Sequence, residues 1–286
     1  MRLHVEVRGR GFPLLCLHGH PGSAAALRVF TDYLATRAQT LAPDLRGYGR
    51  SRCRQPFAMT AHLDDLQELL ARYQIQRCLV LGWSLGGILA MELALRQPQL
   101  VSGLVLIGTA ARPRSAHPPV TAGDLVCTGI AALLNQLRPG WQWNIDTFGQ
   151  RSLFRHLFGQ PTPTAYRYLA RDGVAAYLQT SRQAQQALNS ALRAGYNRLP
   201  DLTLLHCPSL MLVGDRDCHI TSAASEETAA QLPNCECHIY ANTAHLLPWE
   251  QPQKLLADLE HWLRSHPTAT DGHWLTTMPH PSGPGM

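Results

Sequence analysis

The feature that most constrains this chain is the stretch Leu79-Val80-Leu81-Gly82-Trp83-Ser84-Leu85-Gly86-Gly87-Ile88. A short apolar run, of the kind that makes a buried strand, ends in a glycine-rich turn, and a helical pattern starts at once behind it. A chain that passes from strand to helix around one serine must bend sharply. Residues two before and two after the serine then lie against neighbouring backbone and must be nearly free of side chain, as Gly82 and Gly86 are. Such a turn leaves the Ser84 hydroxyl at a helix N-terminus, where backbone N–H groups favour developing negative charge. Taken alone, a glycine-rich turn with a bystander serine fits this stretch equally well.

The rest of the chain decides between them. Residues 3–8 alternate like a strand, Pro13–Leu17 is a continuous apolar run, and residues 24–34 read as a helix. A strand at 40–43 precedes a helix over 60–73, with Thr60 as its expected N-cap and Leu63, Leu66, Leu69 and Leu70 at helical spacing. The strand 78–81, the helix 85–96 and the strand 101–108 follow. Strands and helices in alternation predict an α/β fold with a mostly parallel central sheet covered on both faces. From about residue 121 to 200 only helical stretches fit: 124–137, 152–158, 164–171 and 174–193. Strand, helix, strand and helix return at 209–214, 221–232, 236–240 and 252–264. The spacing therefore predicts a core of 1–109 and 201–265, interrupted by an all-helical insertion over 110–200. Residues 266–286 show no period and are expected to be a disordered tail.

At 286 residues, 45% hydrophobic and 16% charged, the chain suits one large domain with an insertion. No run approaches the roughly 18 apolar residues of a membrane span, and the first residues lack a signal-peptide core. The expectation is a cytoplasmic protein with no membrane partner. Its eight cysteines include no Cys-x-x-Cys, so neither a disulfide framework nor a zinc site is expected. The net charge is +5, and the 25 basic residues are Lys254 and otherwise arginines. They form no block of like charge, which disfavours nucleic acid and reads as a solvated surface.

Four segments carry a more specific signal: His18-Gly19-His20-Pro21-Gly22, Asp44-Leu45-Arg46-Gly47-Tyr48-Gly49-Arg50-Ser51, Gly82-Trp83-Ser84-Leu85-Gly86-Gly87, and Ala244-His245. In this order they resemble the α/β-hydrolase family over roughly residues 3–265, and the insertion lies where that family carries its cap. The resemblance implies a catalytic triad of Ser84, Asp217 and His245, in the chain order that fold uses. Serine is a poor nucleophile at neutral pH, so it needs a base, and the base needs an orienting acid. The resemblance places the acid at Asp217, with Asp215 as the alternative. The segment after strand 101–108, where some members carry the acid, holds no carboxylate. An oxyanion needs preorganised N–H donors, worth on the order of 3 kcal/mol each. The resemblance assigns these to the backbone of His20 and Leu85. His18 and His20 at this spacing also admit a metal pair, but no partner cluster follows, so neither metal nor cofactor is expected. Arg46 is expected to brace neighbouring loops. Trp83, Trp141 and Phe148 are the candidate walls of a substrate pocket.

What the resemblance implies chemically is a cofactor-free serine hydrolase acting on a small-molecule carboxylic ester or thioester. The serine excludes the branches that use aspartate at this turn. The Gly-Trp-Ser-Leu-Gly-Gly stretch is similar to that of the pimeloyl-carrier-protein methyl ester esterases. Perhydrolases and carbon–carbon bond hydrolases or lyases share the same triad and stay open as alternatives, as does a ligand sensor with little turnover.

Overall fold

A computed structural model describes residues 1–276. Strand β1 (Val5–Arg8) is followed by β2 (Pro13–Leu17), then α1 (Arg28–Leu34), β3 (Gln39–Pro43) and α2 (Ala61–Arg72). Next come β4 (Cys78–Trp83), α3 (Leu85–Arg96) and β5 (Val101–Ile107). A helical stretch then carries α4 (Ala122–Leu137), α5 (Gln142–Thr147), α6 (Pro163–Tyr168), α7 (Val174–Leu178) and α8 (Arg182–Arg193). The chain returns to the sheet with β6 (Ser209–Gly214), α9 (Ser222–Gln231) and β7 (Cys235–Tyr240), and ends in α10 (Leu247–Glu250), α11 (Pro252–Ser265) and α12 (His273–Thr276).

The strands form one sheet in the order β1-β3-β2-β4-β5-β6-β7. Only β1 runs antiparallel to its neighbour; the other pairings are parallel. The period of two along each strand sorts its side chains into two cores. Leu14, Cys16, Leu79, Leu81, Val105, Ile107, Leu210 and Leu212 face one way, toward α1 and α11. Leu15, Leu17, Val80, Leu104, Leu106, Met211 and Val213 face the other, toward α2, α3 and α9. Buried on both sides, the central strands read in sequence as unbroken apolar runs. Among the described residues no helix is long and apolar enough to cross a membrane.

Three local expectations are corrected. Thr60 is not a capping residue: its backbone is already helical and its side chain makes no cap bond. The first amides of α2 are instead taken by the carbonyls of Ala58, Met59 and Thr60, a tight turn that feeds directly into the helix. The expected long helix over 174–193 is two helices. The Ser181 hydroxyl accepts from the Ala184 N–H and restarts the chain as α8, so a capping residue inside the run was the overlooked signal.

The third correction concerns the tail. Of residues 266–286, those from 266 to 276 are structured; the remainder lie outside the described residues. A turn at Pro267–Thr270 buries Ala269 and Thr270 completely, and Trp274 in α12 is nearly so. The Ser102 hydroxyl donates to the Ala269 carbonyl at 2.7 Å, and Trp274 Nε1 donates to Glu260 at 3.1 Å. Two separate anchors, the pair Ala269-Thr270 and Trp274, with Asp271-Gly272-His273 between them, produce no periodic signal.

Candidate active site

The turn between β4 and α3 holds Ser84 at φ 54° and ψ −116°, a conformation strained for an L residue. Neighbouring backbone fixes it there. A Cβ on Gly82 would run into the carbonyl of Gly86, and one on Gly86 into the carbonyl of Leu17. The Ser84 N–H donates to Ile107 O at 2.9 Å, and the Ser84 carbonyl accepts from Thr109 Oγ1 at 2.8 Å and Gly87 N at 2.9 Å. Both peptide groups of the turn are thus tied to the sheet and to the helix.

Three side chains from three separate segments meet at this point. His245, in the loop after β7, places Nε2 3.1 Å from Ser84 Oγ and Nδ1 2.7 Å from Asp217 Oδ2. Asp217 follows β6, and its other oxygen accepts from the N–H groups of His219 at 2.8 Å and Ile220 at 3.0 Å. A carboxylate held this way accepts the proton on Nδ1, which leaves the Nε2 lone pair facing the serine hydroxyl. All three residues are at most 5% exposed. Asp215 is exposed and instead accepts from the Thr243 N–H at 3.1 Å, holding the loop that precedes His245.

The loop after β2 crosses directly over the serine: a Cβ on Gly19 would sit 3.1 Å from Ser84 Cβ. Leu85 is the first residue of α3, so its N–H has no intrahelical acceptor. Among the described residues neither it nor the His20 N–H donates to a protein group. The two imidazoles of this loop are engaged separately. His18 is fully buried, with Nδ1 donating to Gly19 O at 2.8 Å and Nε2 accepting from Leu45 N at 3.0 Å. Burial pulls its pKa down to about 4, so it is a neutral structural pin. His20 meets Tyr48 OH at 2.9 Å and Gln185 at 3.2 Å. The segment 44–51 therefore props the loop, and Arg46 reaches Asp65 with two bonds of 2.6 Å.

The three pocket candidates divide. Trp83 is 4% exposed; its Nε1 donates to the His245 carbonyl at 3.2 Å, and its ring stands edge-on to Trp249. It braces the histidine loop from below. Trp141 and Phe148 instead have their ring contacts with Trp143, in the helical stretch.

Two further groups stand at the site: His219, which its place beside a strand marks in sequence only as a structural histidine, and Glu250, which the sequence does not single out. His219 lays its ring 4.6 Å from that of His245, and burial pulls its pKa down to about 3, which keeps it neutral there. Glu250 is the other. Its carboxylate accepts from Ala244 N at 2.9 Å and from Gln160 N at 2.5 Å, and so joins the His245 loop to the helical stretch. The Leu246 N–H, donating to Leu157 O at 3.0 Å, adds a second tie.

Burial pushes the Glu250 carboxyl up to about 7, against backbone donors that favour its ionised form. The raised value fixes the sign of its effect. Between the ordinary carboxylate pKa and about 7, the folded protein holds a proton that the unfolded chain has lost, so this group's contribution to stability falls as pH rises. Over that window the loss is about 3 kcal/mol. Melting temperatures from pH 4.5 to 8 are expected to fall with pH more steeply for wild type than for Glu250→Gln. Parallel curves would remove Glu250 as the titrating group.

Residues 14–259 match the model of the Alpha/beta hydrolase family. The chain belongs to the alpha/beta hydrolase family. This hydrolase is 26% identical over 252 residues to the pimeloyl-[acyl-carrier protein] methyl ester esterase of Vibrio atlanticus, covering 85% of this chain and 91% of that one. It is 26% identical over 265 residues to the biotin biosynthesis bifunctional protein BioHC of Cellvibrio japonicus, covering 90% of this chain but only 49% of that longer protein. A thermophilic esterase from Thermogutta terrifontis superposes with a TM-score of 0.63 at 23% identity, over 92% of this chain and 94% of that one, which is a likeness of fold. The chain is thus an alpha/beta hydrolase enzyme with esterase relatives.

Proposed function

We propose that this hydrolase cleaves a carboxylic ester or thioester through an acyl-enzyme on Ser84. His245 takes the proton from the Ser84 hydroxyl as it attacks the carbonyl carbon, then returns it to the leaving alcohol or thiol. Asp217 holds the imidazole in the required tautomer. The N–H groups of His20 and Leu85 stabilise the oxyanion. Water, deprotonated by His245, releases the acyl group and restores the serine. Residues 110–200 act as a cap that sets substrate choice. One observation carries the reading: the buried series from Ser84 Oγ to His245 Nε2 at 3.1 Å and from His245 Nδ1 to Asp217 at 2.7 Å.

A fluorophosphonate label is expected on the single peptide that contains Ser84. A panel of p-nitrophenyl esters, acyl thioesters and methyl esters on a carrier protein then orders the substrates. A label on any other serine, or none at all, rejects the assignment. Asp217→Asn is expected to lower kcat by about 10⁴-fold, because it imposes the wrong imidazole tautomer. Asp215→Asn should stay within about threefold of wild type, since Asp215 holds backbone only. Equal losses in the two variants would overturn the role given to Asp217.

A further inference from the structure

Arginines scattered along the sequence converge in space. Arg2 precedes β1, Arg50 closes the 44–51 segment and Arg72 ends α2; the three line one cleft of about 650 Å³. His4 and Tyr73 complete its polar wall, and Leu3 and Val5 give it an apolar floor. No carboxylate lines it. Two acidic groups near by are already committed: Asp65 to Arg46, and Asp44 to the backbone N–H groups of Ala24 and Arg50. Among the described residues the guanidinium groups of Arg2, Arg50 and Arg72 pair with no carboxylate, although those of most other arginines do.

The floor is fixed rather than loose. The His4 N–H donates to Ser51 Oγ at 2.8 Å, and the His4 carbonyl accepts from Asp44 N at 2.9 Å. The Arg50 N–H donates to Asp44 Oδ2 at 2.8 Å. Arg72 lies over the Tyr73 ring at 5.5 Å, and Arg50 Nη1 is 3.5 Å from His4 Nε2. Three like charges facing one concavity repel one another unless an anion lies between them. Guanidinium forks match phosphate oxygens two at a time, and a half-exposed tyrosine beside them offers a face for a flat ring.

We propose that this cleft binds the phosphate groups of a small soluble molecule, best a di- or triphosphate carrying a ring, such as a nucleotide. The site is separate from the serine centre and shares none of its side chains. It goes beyond the hydrolytic reading and does not depend on it. The test is calorimetric titration of the full chain with pyrophosphate and with ATP at low ionic strength. Wild type is expected to bind with a Kd below about 1 mM, and to weaken as salt is raised. The triple variant Arg2→Ala/Arg50→Ala/Arg72→Ala should weaken binding by about tenfold or more. A charge-matched control, Arg138→Ala/Arg167→Ala/Arg193→Ala, should leave it unchanged. Thermal melts establish that both variants are folded. No heat from wild type at millimolar ligand, or equal weakening by the control, overturns the proposal. Sedimentation with phosphatidic acid vesicles separates the other source of phosphate. Vesicle binding that needs the three arginines and that ATP fails to compete would assign the cleft to lipid headgroups and overturn the soluble ligand.

Discussion

Ser84→Ala is expected to abolish ester turnover while leaving the protein as stable as wild type. The rate should fall by about 10⁴-fold or more if the proposed triad acts as one unit, in which removing one member disables the whole. Stability should hold because the side chain does little for the fold. Among the described residues its one hydrogen bond is to His245, and the strained backbone is held by Ile107, Thr109 and Gly87 instead. Alanine also carries a Cβ, so the cost of the positive φ is the same in both proteins. Initial rates on p-nitrophenyl butyrate and a thermal melt check both halves. Turnover retained within tenfold would mean that another group attacks the ester.

The opposite pattern is expected two residues further on. Gly86→Ala should destabilise the protein by about 4 kcal/mol or more, the range reserved for clashes that cannot relax. The added methyl would meet the carbonyl of Leu17 and, at 2.9 Å, that of His18. These are backbone atoms of β2 and of the loop over the serine, so neither can move without displacing the sheet or the candidate oxyanion site. A drop in melting temperature of about 8 °C or more, or failure to accumulate soluble protein, is the readout. Gly129→Ala in α4 is the matched control. Nothing lies within 4 Å of its added Cβ, and alanine in a helix interior should gain about 0.5–1 kcal/mol. A Gly86→Ala protein as stable as wild type would mean that the close crossing is not rigid.

How much of this was legible beforehand depends on the range of the contacts involved. β2, β6 and α3 announce themselves because buried runs are closed by glycine, proline or a change of period. The same holds for the Gly-x-Ser-x-Gly turn, whose glycines answer to atoms a few residues away or on the adjacent strand. The helical stretch was harder. Spacing in sequence breaks the helix at Asp172-Gly173, but one wide turn at Leu169–Gly173 carries α6 into α7 without interruption. Ser152–Phe158 contains only a tight turn at Leu153–His156 where a helix was expected.

The least visible features are those made by side chains far apart in the chain. Asp217 and Asp215 lie in one tetrapeptide, and only the direction of the chain after β6 turns the first toward His245 and the second toward Thr243. Glu250 looks like a surface residue until residues 159–160 are laid across it. Arg2, Arg50 and Arg72 look like dispersed charge until β1, the 44–51 segment and α2 bring them to one cleft. Spacing in sequence carries information about neighbours on one element, and almost none about which elements share an edge.

The backbone at position 84 has a consequence for what this scaffold can become. The awkward dihedral is imposed by the backbone around the turn and not by the Ser84 hydroxyl, so the identity of the atom displayed at the tip is decoupled from the architecture that displays it. A thiol or a carboxylate could stand in the same socket without rebuilding the scaffold. Reactivity at this position is free to change in one substitution, whereas the flanking glycines are not.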